Sequence, residues 1–100
     1  MSGTRLSSAD LSPRQRRVLF RAWHRGTREM DLMLGRFTDS ILVDLDDAGL
    51  DGLEALLEVP DPELYKWLVG QAAVPPNHDT ATYRALAAFQ AANPVAGDVR

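Results

Sequence analysis

The chain has 100 residues, 45% of them hydrophobic and 25% charged, with a net charge of −3. This suits one small soluble domain with a modest core and argues against disorder. It contains no cysteine, which excludes disulfides, thiolate zinc sites and cysteine nucleophiles and fits a reducing compartment. The longest apolar runs, "ILV" and "WLVGQAAV", fall far short of the roughly 20 residues that cross a bilayer.

Residues 1–11 read as a flexible start. The opening "MSGTRLSSADLSPRQRRVLFRAW" is rich in Arg and Ser, as transit peptides are, but Asp10 is foreign to such a leader. No apolar segment follows the first basic residues, as a secretory signal would require. The chain is therefore read as cytoplasmic.

Residues 12–93 read as a helical domain. Ser12 followed by Pro13 is an N-cap with proline at the first helical position, and Gly26 stands where helices commonly stop. Between them Val18, Leu19, Ala22 and Trp23 form an apolar stripe, with Arg14, Arg17, Arg21 and Arg25 along another face. Thr27 can cap a second helix, and Glu29 and Asp31 occupy its first turn, the positive end of the helix dipole. Met30, Met33, Leu34, Phe37 and Ile41 are its buried face by spacing.

A third helix follows Asp44 or Asp46 and buries Leu50, Leu53, Leu56 and Leu57. Gly49 and Gly52 each weaken it by about 1 kcal/mol relative to alanine. "PDPELYKWLVG" predicts a compact fourth helix capped by Asp61, with Pro62 in first position and Gly70 closing it. Leu64, Trp67 and Leu68 face inward; Tyr65 and Lys66 face out. "AAVPPNH" is a rigid connector. Asp79 or Thr80 starts the last helix, with Ala81, Ala85, Ala88, Phe89 and Ala92 on one side. Pro94 ends it, and residues 94–100 read as a flexible tail. No segment alternates with period two and there is no internal repeat. The fold class is all-α, a single-domain bundle of about five short helices.

Charge is unevenly placed. Residues 1–36 hold eight arginines and three acids, a net of +5, whereas residues 37–100 hold three bases and eleven acids, a net of −8. That asymmetry predicts a polarised surface that steers a partner.

Sites for chemistry are few. His24 and His78 have no second ligand at metal-binding spacing, and they read as surface residues beside helix ends. The serines lack a nucleophile elbow, and no phosphate- or dinucleotide-binding fingerprint is present. Asp44, Asp46, Asp47 and Asp51 lack the glycine and closing glutamate of a calcium loop and read as capping and solvated surface. The helix "PRQRRVLFRAWHR" could contact phosphates, but the remaining two-thirds of the chain is acidic. No catalytic group, metal or bound cofactor is therefore assigned. "RGTRE", residues 25–29, has two readings. Each residue suits a helix–helix corner, with Gly26 in the left-handed position. The same corner exposes a glycine to close approach, with Arg25, Arg28 and Glu29 offering charge-assisted hydrogen bonds of both signs.

Arg25-Gly26-Thr27-Arg28-Glu29, followed by Asp31, resembles the Arg-Gly-x-x-Glu signature of the SdhE family, also called succinate dehydrogenase assembly factor 2 or the flavinator. "LEALLEVPDPELYKWLVG" is similar to that family's second block, and the likeness covers about residues 12–92. It implies a five-helix, non-enzymatic assembly factor that promotes covalent attachment of FAD to the flavoprotein subunit of succinate dehydrogenase, and in bacteria often of fumarate reductase. It also implies that Arg25, Gly26 and Glu29, with Arg28 and Asp31 beside them, face that flavoprotein near its flavin-linking histidine. The flavoprotein's own histidine would attack the flavin methyl carbon, and the factor's part would be positional. FAD is thus the partner's, no nucleic acid or membrane insertion is implied, and His24 stands where many members have a second arginine. The alternatives are a helical adaptor for another client, or a weak nucleic-acid binder using the Arg-rich first helix.

Overall fold

Among the described residues five α-helices form, and a local reason for most of their starts is visible. The computed structural model describes Thr4 and residues 6–95. In order the helices are α1 (Pro13–Trp23), α2 (Arg28–Ile41), α3 (Asp47–Leu57), α4 (Asp61–Leu68) and α5 (Ala81–Ala92), with short 3₁₀ turns at Ser8–Asp10, Leu42–Asp44 and Pro76–His78. No strand occurs among the described residues.

Side-chain caps start four of the five. Ser12 Oγ accepts the Gln15 amide at 3.1 Å, and Gln15 Oε1 accepts the Ser12 amide at 2.8 Å, a reciprocal box at the head of α1. Thr27 caps α2 by accepting from the Met30 amide, Asp46 caps α3 by accepting from the Gly49 amide, and Thr80 caps α5 by accepting from the Tyr83 amide. These settle the choices between Asp44 and Asp46 and between Asp79 and Thr80. The fourth helix differs from expectation. Pro60 is its cap residue and makes no side-chain cap bond, while Asp61 is already helical. The Asp61 carboxylate serves Arg25 instead.

The core gathers Val18, Leu19, Ala22 and Trp23 of α1 with Met30, Met33, Leu34 and Phe37 of α2 and the four leucines of α3. Leu64 of α4 is fully buried, while Trp67, Leu68 and Tyr65 pack against the core half-exposed. Tyr65 thus turns inward more than its spacing predicts. On α5 the expected face is corrected in part: Phe89 packs half-exposed against the core, but its alanines do not. Ala81, Ala85, Ala88 and Ala92 are exposed, and Tyr83 and Leu86 are the buried residues. Larger side chains remove more apolar area from water than alanine, so they decide which face turns inward.

α1 packs on α2 and α3, and α5 closes the bundle against α2 and α3. The approach of α1 to α2 depends on Gly35: a Cβ there would fall 2.2 Å from the Trp23 ring. The indole is held from its other end, where Trp23 Nε1 donates to Asp39 Oδ1 at 3.2 Å.

The described parts of both termini make contacts with the bundle. Leu11 and Val95 are buried, Leu6 packs on the core, and Thr4 Oγ1 donates to Asp39 at 2.6 Å. The flexible-segment expectations for residues 1–3, 5 and 96–100 lie outside the described residues.

Candidate functional site: the corner between α1 and α2

The four residues 24–27 join α1 to α2, and Gly26 turns the chain there. Its φ is +113°, a conformation L side chains rarely adopt, and a Cβ built on it would meet nothing within 4 Å. Glycine is therefore needed for the backbone path, and it leaves the surface above it open.

Two of the candidate residues fasten this corner from inside. Asp31 Oδ1, one turn into α2, accepts the amide of Arg25 and that of Gly26, the latter at 3.3 Å. Arg25 reaches the other way. Its guanidinium donates to the Leu57 carbonyl at 2.8 Å, the Val59 carbonyl at 3.0 Å, and Asp61 Oδ1 from both Nε and Nη2 at 2.9 and 2.7 Å. The Arg25 side chain is only 9% exposed and that of Asp61 21%. So Arg25, expected to offer its charge outward, is turned in and ties the corner to the α3–α4 connection.

Arg28 and Glu29 behave otherwise. Arg28 is exposed and Glu29 half-exposed, and neither side chain has a hydrogen bond or ion pair among the described residues. They stand in the first turn of α2, side by side and of opposite sign, on a backbone held by Asp31 and Arg25. Two such charges on a held backbone beside an open glycine can form charge-assisted bonds with a partner, at the cost of ordering their own side chains.

A shallow groove of about 450 Å³ runs from the corner between α1 and the α3–α4 connection, with Phe20, Arg21 and His24 on one bank and Glu58, Pro60 and Asp61 on the other. Sequence reasoning missed this groove. Its one early sign was Phe20, which falls outside the apolar stripe of α1.

The basic and acidic parts of the chain meet along one side of α1. Arg14 binds Glu54 through Nε and Nη2 at 3.1 and 2.9 Å and Asp51 at 2.6 Å, and Arg21 binds Glu58 at 2.7 Å. The Arg14 guanidinium holds the Glu54 carboxyl below its ordinary range, against the smaller opposing effect of desolvation. Arg14 and Arg21 are thereby matched by carboxylates on and just after α3, which weakens the nucleic-acid alternative. His24 is exposed beside the end of α1, and the His78 ring lies 5.2 Å from that of Trp67. Among the described residues no cluster of three or more His, Asp or Glu is placed to hold a metal. Among the described residues no helix is long and apolar enough to cross a membrane.

Fold and corner define a class: a small helical protein with a charged helix–helix corner fixed by its own hydrogen bonds. Comparison with known proteins specifies it. Residues 16–90 match the family model described as "Flavinator of succinate dehydrogenase", and the chain belongs to that family. It is 36% identical over 85 residues to the "FAD assembly factor SdhE" of Acetobacter pasteurianus, covering 85% of this chain and 78% of that one. It is 29% identical over 72 residues to the mitochondrial "Succinate dehydrogenase assembly factor 2" of Dictyostelium discoideum, covering 72% of this chain and 51% of that one. With the SdhE of Shewanella oneidensis it shares 37% over 54 residues, 54% of this chain and 66% of that one. No solved structure matches.

Proposed function

We propose that this chain promotes covalent attachment of FAD to the flavoprotein subunit of succinate dehydrogenase by docking its α1–α2 corner on the immature subunit. Family membership supports the process, and the observation that carries the site is the division of labour within the signature. Arg25 and Asp31 fix the corner from within, leaving Gly26, Arg28 and Glu29 presented on a rigid backbone. The fumarate reductase flavoprotein is a second client under the same reading.

The bond-forming step belongs to the client, whose histidine joins its own flavin. This chain then supplies binding and no catalytic group. Holding reacting groups near attack geometry can be worth up to about 7–11 kcal/mol, provided that the corner binds the reactive arrangement more tightly than the others. The work lies in the cytoplasm on this reading, supported by likeness to a bacterial relative over 85% of the chain.

The test is co-expression of the flavoprotein with no factor, with this chain, or with its Glu29→Ala variant, read by flavin fluorescence of the denatured subunit. The Glu29 side chain makes no bond among the described residues, so its loss should cost at most about 0.3–1 kcal/mol of stability through the helix dipole. A fluorescent band with the parent and little with the variant is expected. Equal bands in all three would remove the assignment.

A further inference from the structure

Phe20 is the most exposed of the large apolar side chains described, at 58%. A lone exposed phenylalanine is ordinary; its surroundings set this one apart. The His24 imidazole lies almost parallel to the ring, with centroids 3.9 Å apart and planes at 15°, which braces the aromatic against α1. Two hollows meet at this ring. One leads past His24 to the corner. The other, about 480 Å³ on the outer side of α1, is lined by Pro13, Arg16, Arg17, Phe20 and Arg21.

In that outer hollow every ionisable group is an arginine. Arg14, on the same helix, is drawn away by Asp51 and Glu54, and Arg21 is shared with Glu58. Arg17 is exposed and makes no ion pair with a described residue. Aromatic side chains and arginine are the residues enriched at protein interfaces, and a braced ring loses little freedom on binding. We infer that the outer face of α1 is a second docking surface, continuous with the corner, which takes an acidic segment of the flavoprotein client and seats one of its apolar side chains against Phe20.

This rests on the docking function proposed above and names the chemistry of a further contact. A polypeptide fits better than a nucleic acid because the basic patch is short and is bordered by Asp47, Asp51, Glu54 and Glu58. Those carboxylates would repel a phosphate backbone running beyond it but need not meet a single acidic segment.

The experiment titrates full-length chain against the flavin-free flavoprotein subunit. Parent is compared with Phe20→Ala, Arg17→Glu, Gly26→Val and, as an apolar control elsewhere on the surface, Val43→Ala. Phe20→Ala should raise Kd about tenfold or more and leave the melting temperature unchanged, because the ring is exposed. Arg17→Glu should weaken binding about three- to tenfold at low salt, with the difference narrowing near 0.5 M salt as screening takes over. Val43→Ala should match the parent. If Phe20→Ala and Arg17→Glu bind within about twofold of the parent while Gly26→Val does not, the second surface is overturned and the corner stands. If none of the three loses affinity, both fall. A single-stranded RNA probe released by Arg17→Glu, with flavoprotein affinity unmoved, would assign the face to nucleic acid and overturn the proposal as well.

Discussion

Arginines of one short segment meet two different fates, at the α1–α3 seam and at the corner. At the seam Arg14 and Arg21 reach across to carboxylates on and just after α3 that remain open to water, Glu58 with a side chain 72% exposed and Asp51 74%. At the corner Arg25 is nearly enclosed and satisfies two backbone carbonyls as well as Asp61. Exposed pairs gain little because water and salt already solvate both partners. An enclosed pair with satisfied hydrogen bonds is different, since removing one member strands the other in a poorly hydrated place. Identical chemistry therefore mates surfaces at the seam and sets a shape at the corner.

That contrast can be broken by substitution. Arg25→Ala, which orphans Asp61 and the Leu57 and Val59 carbonyls, should cost about 2–4 kcal/mol in urea unfolding. A loss below about 0.5 kcal/mol, the level of an ordinary surface change, would erase the distinction. Gly35→Ala should come next. It forces a methyl group into the Trp23 ring beneath the corner, and overpacking of this kind costs about 1–3 kcal/mol. A shifted indole should appear in the tryptophan fluorescence of the folded variant, whereas an unchanged spectrum and melt would show that α1 and α2 have slack. Arg21→Ala should be the mildest, within about 0–1 kcal/mol and smaller still in high salt.

Acid sharpens the seam further. Arg14 depresses the Glu54 pKa in the folded state, so the unfolded chain binds more protons at that site once the pH falls below the ordinary carboxylate value of 4.5. The stability from this pair is present above that pH and is lost as pH drops through the folded value. A urea midpoint measured from pH 7 down to pH 3 should therefore fall less steeply below pH 4.5 in Glu54→Gln than in the parent. Parallel profiles would show that the pair contributes nothing to acid sensitivity.

Helix existence was legible wherever a local rule applied. Ser12, Thr27 and Thr80 satisfy backbone amides three residues away, and the stripes of α1, α2 and α3 follow the helical period. Two features escaped because larger or distant side chains intervene. On α5 the alanines were periodic, but Tyr83 and Leu86 hold more apolar surface and took the inner face. Asp61 had the form of a cap, yet a guanidinium 36 residues earlier claimed its carboxylate. The signature itself was legible as a motif, while its internal division between shaping and presenting residues was not. Nothing in "RGTRE" indicates which arginine turns inward until α3 and α4 are in place.

The same 36-residue separation has a consequence in time. At about 5–20 residues per second, a ribosome works for about 2–7 s between making Arg25 and making Asp61. Throughout that interval the emerging chain carries the whole signature without the carboxylate that locks its geometry. The geometry of the corner is thus completed late in synthesis, with α4, although every residue of the signature was made early.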